Sequence, residues 1–263
     1  MEEMDNTKIS VAMASYNCHN YISEAIISIV KQTYKNWEIV VVIDGGDDVD
    51  STIDIVKNLA RQYKIIRKIK LYTHDKNYGY GSALKNAIEM GTGELVAIVD
   101  ADDALSDNSA FEIMVNYHKM YPDASLIYSD FYKCDKNLKN PSLRRCSDIP
   151  DGKSFLGYFI GDKYYSSGYI VSHLKVFKRR FYDKTIGLDY TLLKAVDKDL
   201  ILKLEEVGRL IHIPIPLYLH RKNYRSISST FKLQAPSYRK AVIESKNRMY
   251  SNAIERRKLK NIC

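Results

Sequence analysis

A mainly parallel, twisted α/β sheet with helices on both faces is the fold that this 263-residue sequence predicts. Three observations carry the expectation. Short, β-branched apolar runs alternate with helically spaced apolar positions from Ile9 onward. Those runs do not alternate apolar with polar, which is the pattern of strands covered on both faces. Each run ends in a polar or glycine-containing stretch, and ligands of parallel sheets bind beyond the carboxyl ends of the strands.

Residues 9 to 14, ISVAMA, read as the first strand, and Ile22, Ala25, Ile26, Ile29 and Val30 follow at helical spacing. WEIVVVI, Trp37 to Ile43, is the second strand, stopped by Asp44, Gly45 and Gly46. Asp50 or Ser51 then caps a helix carrying Ile55, Val56, Leu59 and Tyr63. A third strand near Ile69 to Tyr72 leads through Asn77, Gly79 and Gly81 into a short helix around Ala83 to Met90, and LVAIV, Leu95 to Val99, is the fourth. Parallel neighbours need crossovers of one hand. The strand ends at Ser15-Tyr16-Asn17, Asp44-Gly45-Gly46, His74 to Gly81 and Asp100 to Asp103 should therefore converge on one edge.

The second half is less regular. It reads as a helix at Phe111 to Tyr121, a strand at Ser125 to Tyr128 and a polar, basic loop from Lys133 to Lys153. A helix marked by Leu200, Leu204 and Val207 stops at Gly208, and LIHIP follows as a strand where Pro214 and Pro216 bar a helix. A final amphipathic stretch carries Val242, Ile243, Met249, Tyr250 and Ile254.

The net charge of +8 comes from 40 Lys and Arg against 32 Asp and Glu. Residues 239 to 263 hold eight of the basic and two of the acidic residues, a local balance of +6, so a basic tail follows a nearly neutral body. That distribution argues against a nucleic-acid-binding surface. No apolar run reaches the roughly 20 residues of a membrane span, and the start MEEMDNT lacks the layout of a signal peptide. Cys18, Cys134, Cys146 and Cys263 are scattered, with neither a disulfide framework nor zinc-ligand spacing. A cytoplasmic location is expected.

Asp100 and Asp102 follow LVAIV directly, and a spacing of two in extended chain sends both side chains to one side. Paired carboxylates repel each other and any phosphate. They make chemical sense around a divalent cation that in turn meets a substrate phosphate, and Mg2+ and Mn2+ prefer such oxygen donors. Gly79-x-Gly81 lacks the third glycine of a dinucleotide fingerprint, and no Walker A sequence is present.

Together, ISVAMASYNCHNYISEAIISIVKQTYKNWEIVVVIDGG, NYGYGSALKNAIEMGTGELVAIVDADD, SHLKVFKRR and VDKDLILKLEEVGRLIHIPIPLYLHRKNYRSIS resemble, in order and spacing, glycosyltransferase family 2, the inverting nucleotide-sugar transferases of the GT-A fold. The resemblance covers most of residues 8 to 230. It implies that Ser15, Tyr16 and Asn17 line the nucleotide base, with Asp44 accepting a hydrogen bond from uracil. It places Asn77, Gly79 and Lys85 near the ribose and phosphates. In the motif Asp100-Ala101-Asp102, the first acid belongs near the ribose or metal and the second on a Mn2+ or Mg2+ ion. Asp197 matches the usual catalytic base, with Asp199 as the other candidate; about 200° of helix separates them, so a regular helix points only one into a cleft.

Val196 stands where the family usually has an acidic or amide residue. Asn223 stands where it has a histidine, leaving His220 or His212 as substitutes. The implied organisation is a nucleotide-sugar-binding half over 1–132, an acceptor-binding half over 133–230 and a basic amphipathic tail over 231–263. The implied reaction is metal-dependent transfer of one sugar from a nucleotide-sugar donor, UDP by the resemblance at Asp44, to a glycan, lipid-linked or protein-linked acceptor, in surface polysaccharide or glycoconjugate synthesis. The tail suggests peripheral contact with the inner face of a membrane, and a homodimer is left open. Two rivals stand beside this reading: a haloacid-dehalogenase-type phosphatase with Asp100 as nucleophile, and a catalytically silent nucleotide- or glycan-binding module.

Overall fold

A computed structural model describes residues 6–150, 152–159, 170–223 and 234–260. Strands β1 (Ile9–Ser15), β2 (Trp37–Ile43), β3 (Ile69–Thr73) and β4 (Leu95–Ile98) alternate with helices α1 (Ile22–Val30), α2 (Val49–Gln62) and α3 (Tyr80–Met90). Then come β5 (Ala104–Leu105), α4 (Ala110–Met120), β6 (Ala124–Cys134), β7 (Ser142–Arg144), α5 (Phe155–Phe159), β8 (Lys175–Lys178), α6 (Arg179–Tyr182), α7 (Val196–Glu205), β9 (Arg209–Arg221) and α8 (Pro236–Leu259).

One sheet runs in the order β3-β2-β1-β4-β8-β6-β9-β5, with β7 paired to β6. Its first four strands are parallel, as expected. Beyond β4 the sheet is mixed rather than mainly parallel: β8 is antiparallel to both β4 and β6, β6 and β9 are parallel, and β5 is antiparallel to β9. The central strand β8 escapes a reading by hydrophobicity because two of its four residues are lysines. Lys175 is nevertheless buried, and Lys178 donates to the carbonyls of Tyr121 and Pro122.

The unalternated runs are buried on both faces. Ile9, Val11, Met13, Ile39, Val41 and Ile43 pack with α1, α2 and α4, whereas Ala12, Val40 and Val42 pack with α3 and α7. Pro214 and Pro216 lie within β9, which skips register so that Ser129 faces Ile213 while Asp130 faces Pro216. Such a bulge takes residues without an N–H out of the ladder. Within the expected loop 133–153, Ser142–Arg144 forms a hairpin partner for β6; Asp151 lies outside the described residues.

The basic tail is a helix docked on the body. Val242, Met249 and Ala253 of α8 are buried. Arg256 and Lys260 reach Glu206, and Arg257 reaches Glu205. The segments 231–233 and 261–263 of the tail lie outside the described residues.

A carboxylate inside the apolar run of β2 fixes the corner where α3 turns into β4. Glu38 is 5% exposed and accepts hydrogen bonds from Ser10 Oγ (2.7 Å), Thr92 N (2.6 Å) and Lys8 Nζ (2.8 Å). The turn passes so close to β1 that a Cβ on Gly93 would sit 2.5 Å from Ser10 N. Burial pushes the Glu38 carboxyl up, but the donors from Lys8, Thr92 and Ser10 outweigh it and hold the group down at about 2. A depressed carboxyl stabilises the fold above its unfolded value and loses that contribution as pH falls through its folded value. Wild-type stability, measured by urea unfolding, should thus decline between about pH 4.5 and pH 2. Glu38→Gln should flatten that segment and cost about 2 kcal/mol at pH 7.

Candidate active site

The four parallel strands deliver their loops to one edge, and Asp44 ties two of them together. It follows β2, is 2% exposed, and receives the His74 ring at 2.7 Å, Tyr78 N–H at 2.9 Å and Gly79 N–H at 2.7 Å. Asn86 contacts the other ring nitrogen of His74 at 2.9 Å, so the imidazole is held from both sides. Gly79 has φ +95°, a conformation glycine adopts readily, and Asn77 Oδ1 accepts the same N–H at 2.8 Å. The structure therefore gives Asp44, Asn77 and Gly79 one shared role, shaping the loop 74–79.

Beside this loop, Tyr16 is exposed and packs at Gly46, while Asn17 Oδ1 accepts from Asp47 N–H. Ser15 is buried, its hydroxyl without a hydrogen-bond partner among the described residues and its carbonyl receiving Asp44 N–H at 2.8 Å. Lys85 is placed apart from these groups: it pairs with Glu89 at 2.6 Å and lines a cleft with Tyr190, Asp199 and Arg256.

Next to the Asp44 loop, the tip of β4 concentrates acid. Tyr80 hydroxyl donates to Asp100 at 3.0 Å, and Asp100 N–H donates to the Tyr218 hydroxyl at 3.0 Å. Burial, then the neighbouring Asp102 charge, pushes the Asp100 carboxyl up to about 6. Ala101 is buried in the core, and Asp102 accepts from the Asn223 amide at 2.9 Å. Asp103 is buried and accepts Arg221 N–H at 2.7 Å. Arg221, itself 2% exposed, also donates to the carbonyls of Asp102 and Lys136 and pairs with Glu24 of α1.

Helix α7 separates its two acids as its geometry requires. Asp199 is buried, pairs with Lys203 at 2.6 Å and accepts Asp189 N–H at 3.2 Å. Asp197 is partly exposed and meets Lys175 Nζ at 3.2 Å. Lys175 lies opposite Ile98, two residues before Asp100, so Asp197 sits near the Asp100 end of β4. Burial raises the Asp197 carboxyl, but Lys175, together with the charge and backbone N–H of Lys198, outweighs it and holds the group below the usual carboxylate range. Val196, where the resemblance leads one to look for a polar group, is buried in the core and touches the site of a Cβ on Gly81.

These residues suit a divalent cation. Asp102, with Asp100 beside it, offers hard oxygen donors in surroundings where the carboxyls crowd each other. Asp103, His173 and His220 form an adjoining group whose ligand atoms lie within 4.8 Å of one another, and Nδ1 of each histidine is buried without a partner among the described residues. His212, the other histidine considered, is committed to Asp130 and Asp148. Tyr80, Lys175, His173 and Arg221 escaped the reading of the sequence as site residues. Only Tyr80 carried a local signal, sitting between Gly79 and Gly81. Tyr224 to Ser228 of the last family segment lie outside the described residues.

The model of the Glycosyl transferase family 2 matches residues 10–186. Chondroitin synthase of Escherichia coli is 28% identical over 244 residues, which is 92% of this chain and 33% of that protein. The chain thus spans about a third of that relative's length. Among solved structures, residues 1-349 of S. aureus TarS in complex with UDP-GlcNAc superpose with a TM-score of 0.66 at 18% identity, covering 85% of this chain and 61% of that one. The mannosyltransferase PcManGT from Pyrobaculum calidifontis, in complex with GDP-Man and Mn2+, gives 0.63 at 18% identity over 97% and 76%. The likeness in fold is that of GT-A enzymes, and with the family match it sets aside the phosphatase. The chain belongs to glycosyl transferase family 2.

Proposed function

We propose that this chain is a metal-dependent, inverting glycosyltransferase. It moves one sugar from a nucleotide donor, a UDP-sugar first of all, to a hydroxyl of a glycan, lipid-linked or protein-linked acceptor in surface polysaccharide or glycoconjugate synthesis. The observation that supports the reading is that Asp197 meets Lys175 beside the Asp100 end of β4, while Asp199 is held in a buried ion pair. The UDP-GlcNAc bound to TarS favours UDP; the GDP-Man and Mn2+ bound to PcManGT favour a nucleotide sugar with manganese. The chondroitin synthases among the relatives favour a glycan acceptor.

In this reading the acceptor oxygen attacks the anomeric carbon from the face opposite the diphosphate. The bond from that carbon to the phosphate oxygen breaks, the nucleoside diphosphate departs, and Asp197 takes the acceptor proton. Tyr16 lies against the base, and the loop 74–79, shaped by Asp44, borders the ribose. A Mn2+ or Mg2+ ion on Asp102 and Asp100, when bound, supplies positive charge for the departing diphosphate. The tail's contact with an anionic lipid surface is weaker than its composition suggests, because Arg256, Arg257 and Lys260 are committed to Glu205 and Glu206.

Nucleotide release from a panel of UDP- and GDP-sugars with Mn2+, with and without oligosaccharide acceptors, tests the proposal. Turnover of none of them overturns it. Asp197→Asn should lower turnover by roughly 10² to 10⁴-fold with UDP binding retained. Asp199→Asn should instead lower stability, by about 3 kcal/mol, because Lys203 is left buried without its partner. Asp102→Asn should abolish the Mn2+ dependence of UDP binding in calorimetry, and unchanged dependence would remove the metal from Asp102.

A further inference from the structure

A buried cation in the cleft has no part in the chemistry above. Lys175 is 3% exposed and lies on the central strand β8, opposite Ile98 of β4 and Tyr128 of β6. Ile98 precedes Asp100 by two residues, so Lys175 enters the cleft beneath the acidic tip of β4. Its Nζ is 3.2 Å from Asp197 Oδ2, and among the described residues Asp197 is the carboxylate in ion-pair contact with it. An ammonium buried in the middle of a sheet is costly unless paired, and an apolar side chain would suit the position better for stability alone.

We propose that Lys175 is a positioning residue for sugar transfer, gripping one carboxylate oxygen of Asp197 so that the other faces the incoming acceptor hydroxyl. The inference rests on the reading of Asp197 as the base. The geometry supplies two reasons for it. Asp197 is the second residue of α7, where a short side chain has several rotamers, and one fixed donor selects among them. Asp100 and Asp102 share the cleft, and without a cation between the elements their charge would drive the Asp197 carboxylate away from the reacting centre. The proton stays with Asp197: it passes from the acceptor oxygen to the ungripped carboxylate oxygen, while Lys175 keeps all of its own. The low position of the Asp197 carboxyl, with the Lys175 charge opposing burial, agrees with this arrangement.

The test uses the full chain as wild type, Lys175→Met, Lys175→Arg, Asp197→Asn and the Lys175→Met/Asp197→Asn double variant. UDP binding with Mn2+ is measured by calorimetry, and UDP-GlcNAc turnover is followed against pH. The Asp197 carboxyl is followed by 13C NMR of Asp-labelled protein, its signal identified by its loss in Asp197→Asn. Lys175→Met should keep UDP affinity within about threefold, lower turnover about 10- to 100-fold, and move the acid limb of the pH profile to higher pH together with the Asp197 titration. Lys175→Arg should recover part of the rate, and in the Asp197→Asn background Lys175→Met should cost nothing more.

An Asp197 titration and pH profile unmoved in Lys175→Met overturn the proposal, as does a further loss on top of Asp197→Asn. The NMR titration decides the matter even if UDP-GlcNAc is not turned over, and Lys175→Arg serves if the methionine variant does not fold. Full turnover by Asp197→Asn, with the titration still shifted by Lys175→Met, would instead remove the base assignment and leave the ion pair standing.

Discussion

Too much negative charge in too little water is the constraint around which this site is built. Asp100, Asp102, Asp103 and Asp197 share one end of the sheet, and Asp100 and Asp103 are pushed upward by burial and by the neighbouring carboxylates. The protein answers with two buried cations from distant parts of the chain, Arg221 at the end of β9 and Lys175 on β8. Arg221 does more than balance charge. Through Asp102, Asp103, Lys136 and Glu24 it joins the β4 tip, the β6–β7 turn and α1, so the electrostatics of the cleft and the closure of the sheet's second half are one problem with one solution. A divalent cation bound by nucleotide diphosphate would enter a place already short of positive charge.

The other side of the cleft is organised by hydrogen bonds to a single buried carboxylate. Asp44 takes two backbone N–H groups and an imidazole, which is enough to set the path of residues 74–79. A loop held this way is shaped before any ligand arrives, and a preformed site spends less of its binding free energy on ordering. Placing Asp44 under the loop also accounts for its burial, which a group facing only solvent and ligand would not have.

Much of the molecule was readable in the chain. The β1 to β4 repeat, the convergence of their ends and the separation of Asp197 from Asp199 follow from periodicities of two and 3.6 residues, and all of them are present. The reading faltered where a buried position is occupied by a charge. SHLKVFKRR does not look like a central strand, because the apolar pattern is broken by Lys175 and Lys178; both are tolerated only because Asp197 and the carbonyls at Tyr121 and Pro122 lie opposite. The tail misled for the converse reason. A count of charges sees eight cations, while the folded chain sets Glu205 and Glu206, at the end of α7, against three of them.

The amino-acid order alone determined which segments are strands and helices in the first half, where the acidic tip falls and which family the motifs belong to, because those depend on local spacing and on residues near each other in the chain. The tertiary structure alone decided that Asp197 meets Lys175 while Asp199 pairs with Lys203, that Asp44 is hydrogen-bonded to the loop 74–79 and that Lys175 and Arg221 are buried beside the β4 acids. Lys175 and Asp197 are 22 residues apart and Arg221 and Asp103 are 118 apart. No local pattern encodes such pairings: they exist only because the sheet brings β8 and β9 beside β4, and only burial makes a lone charge there demand its partner.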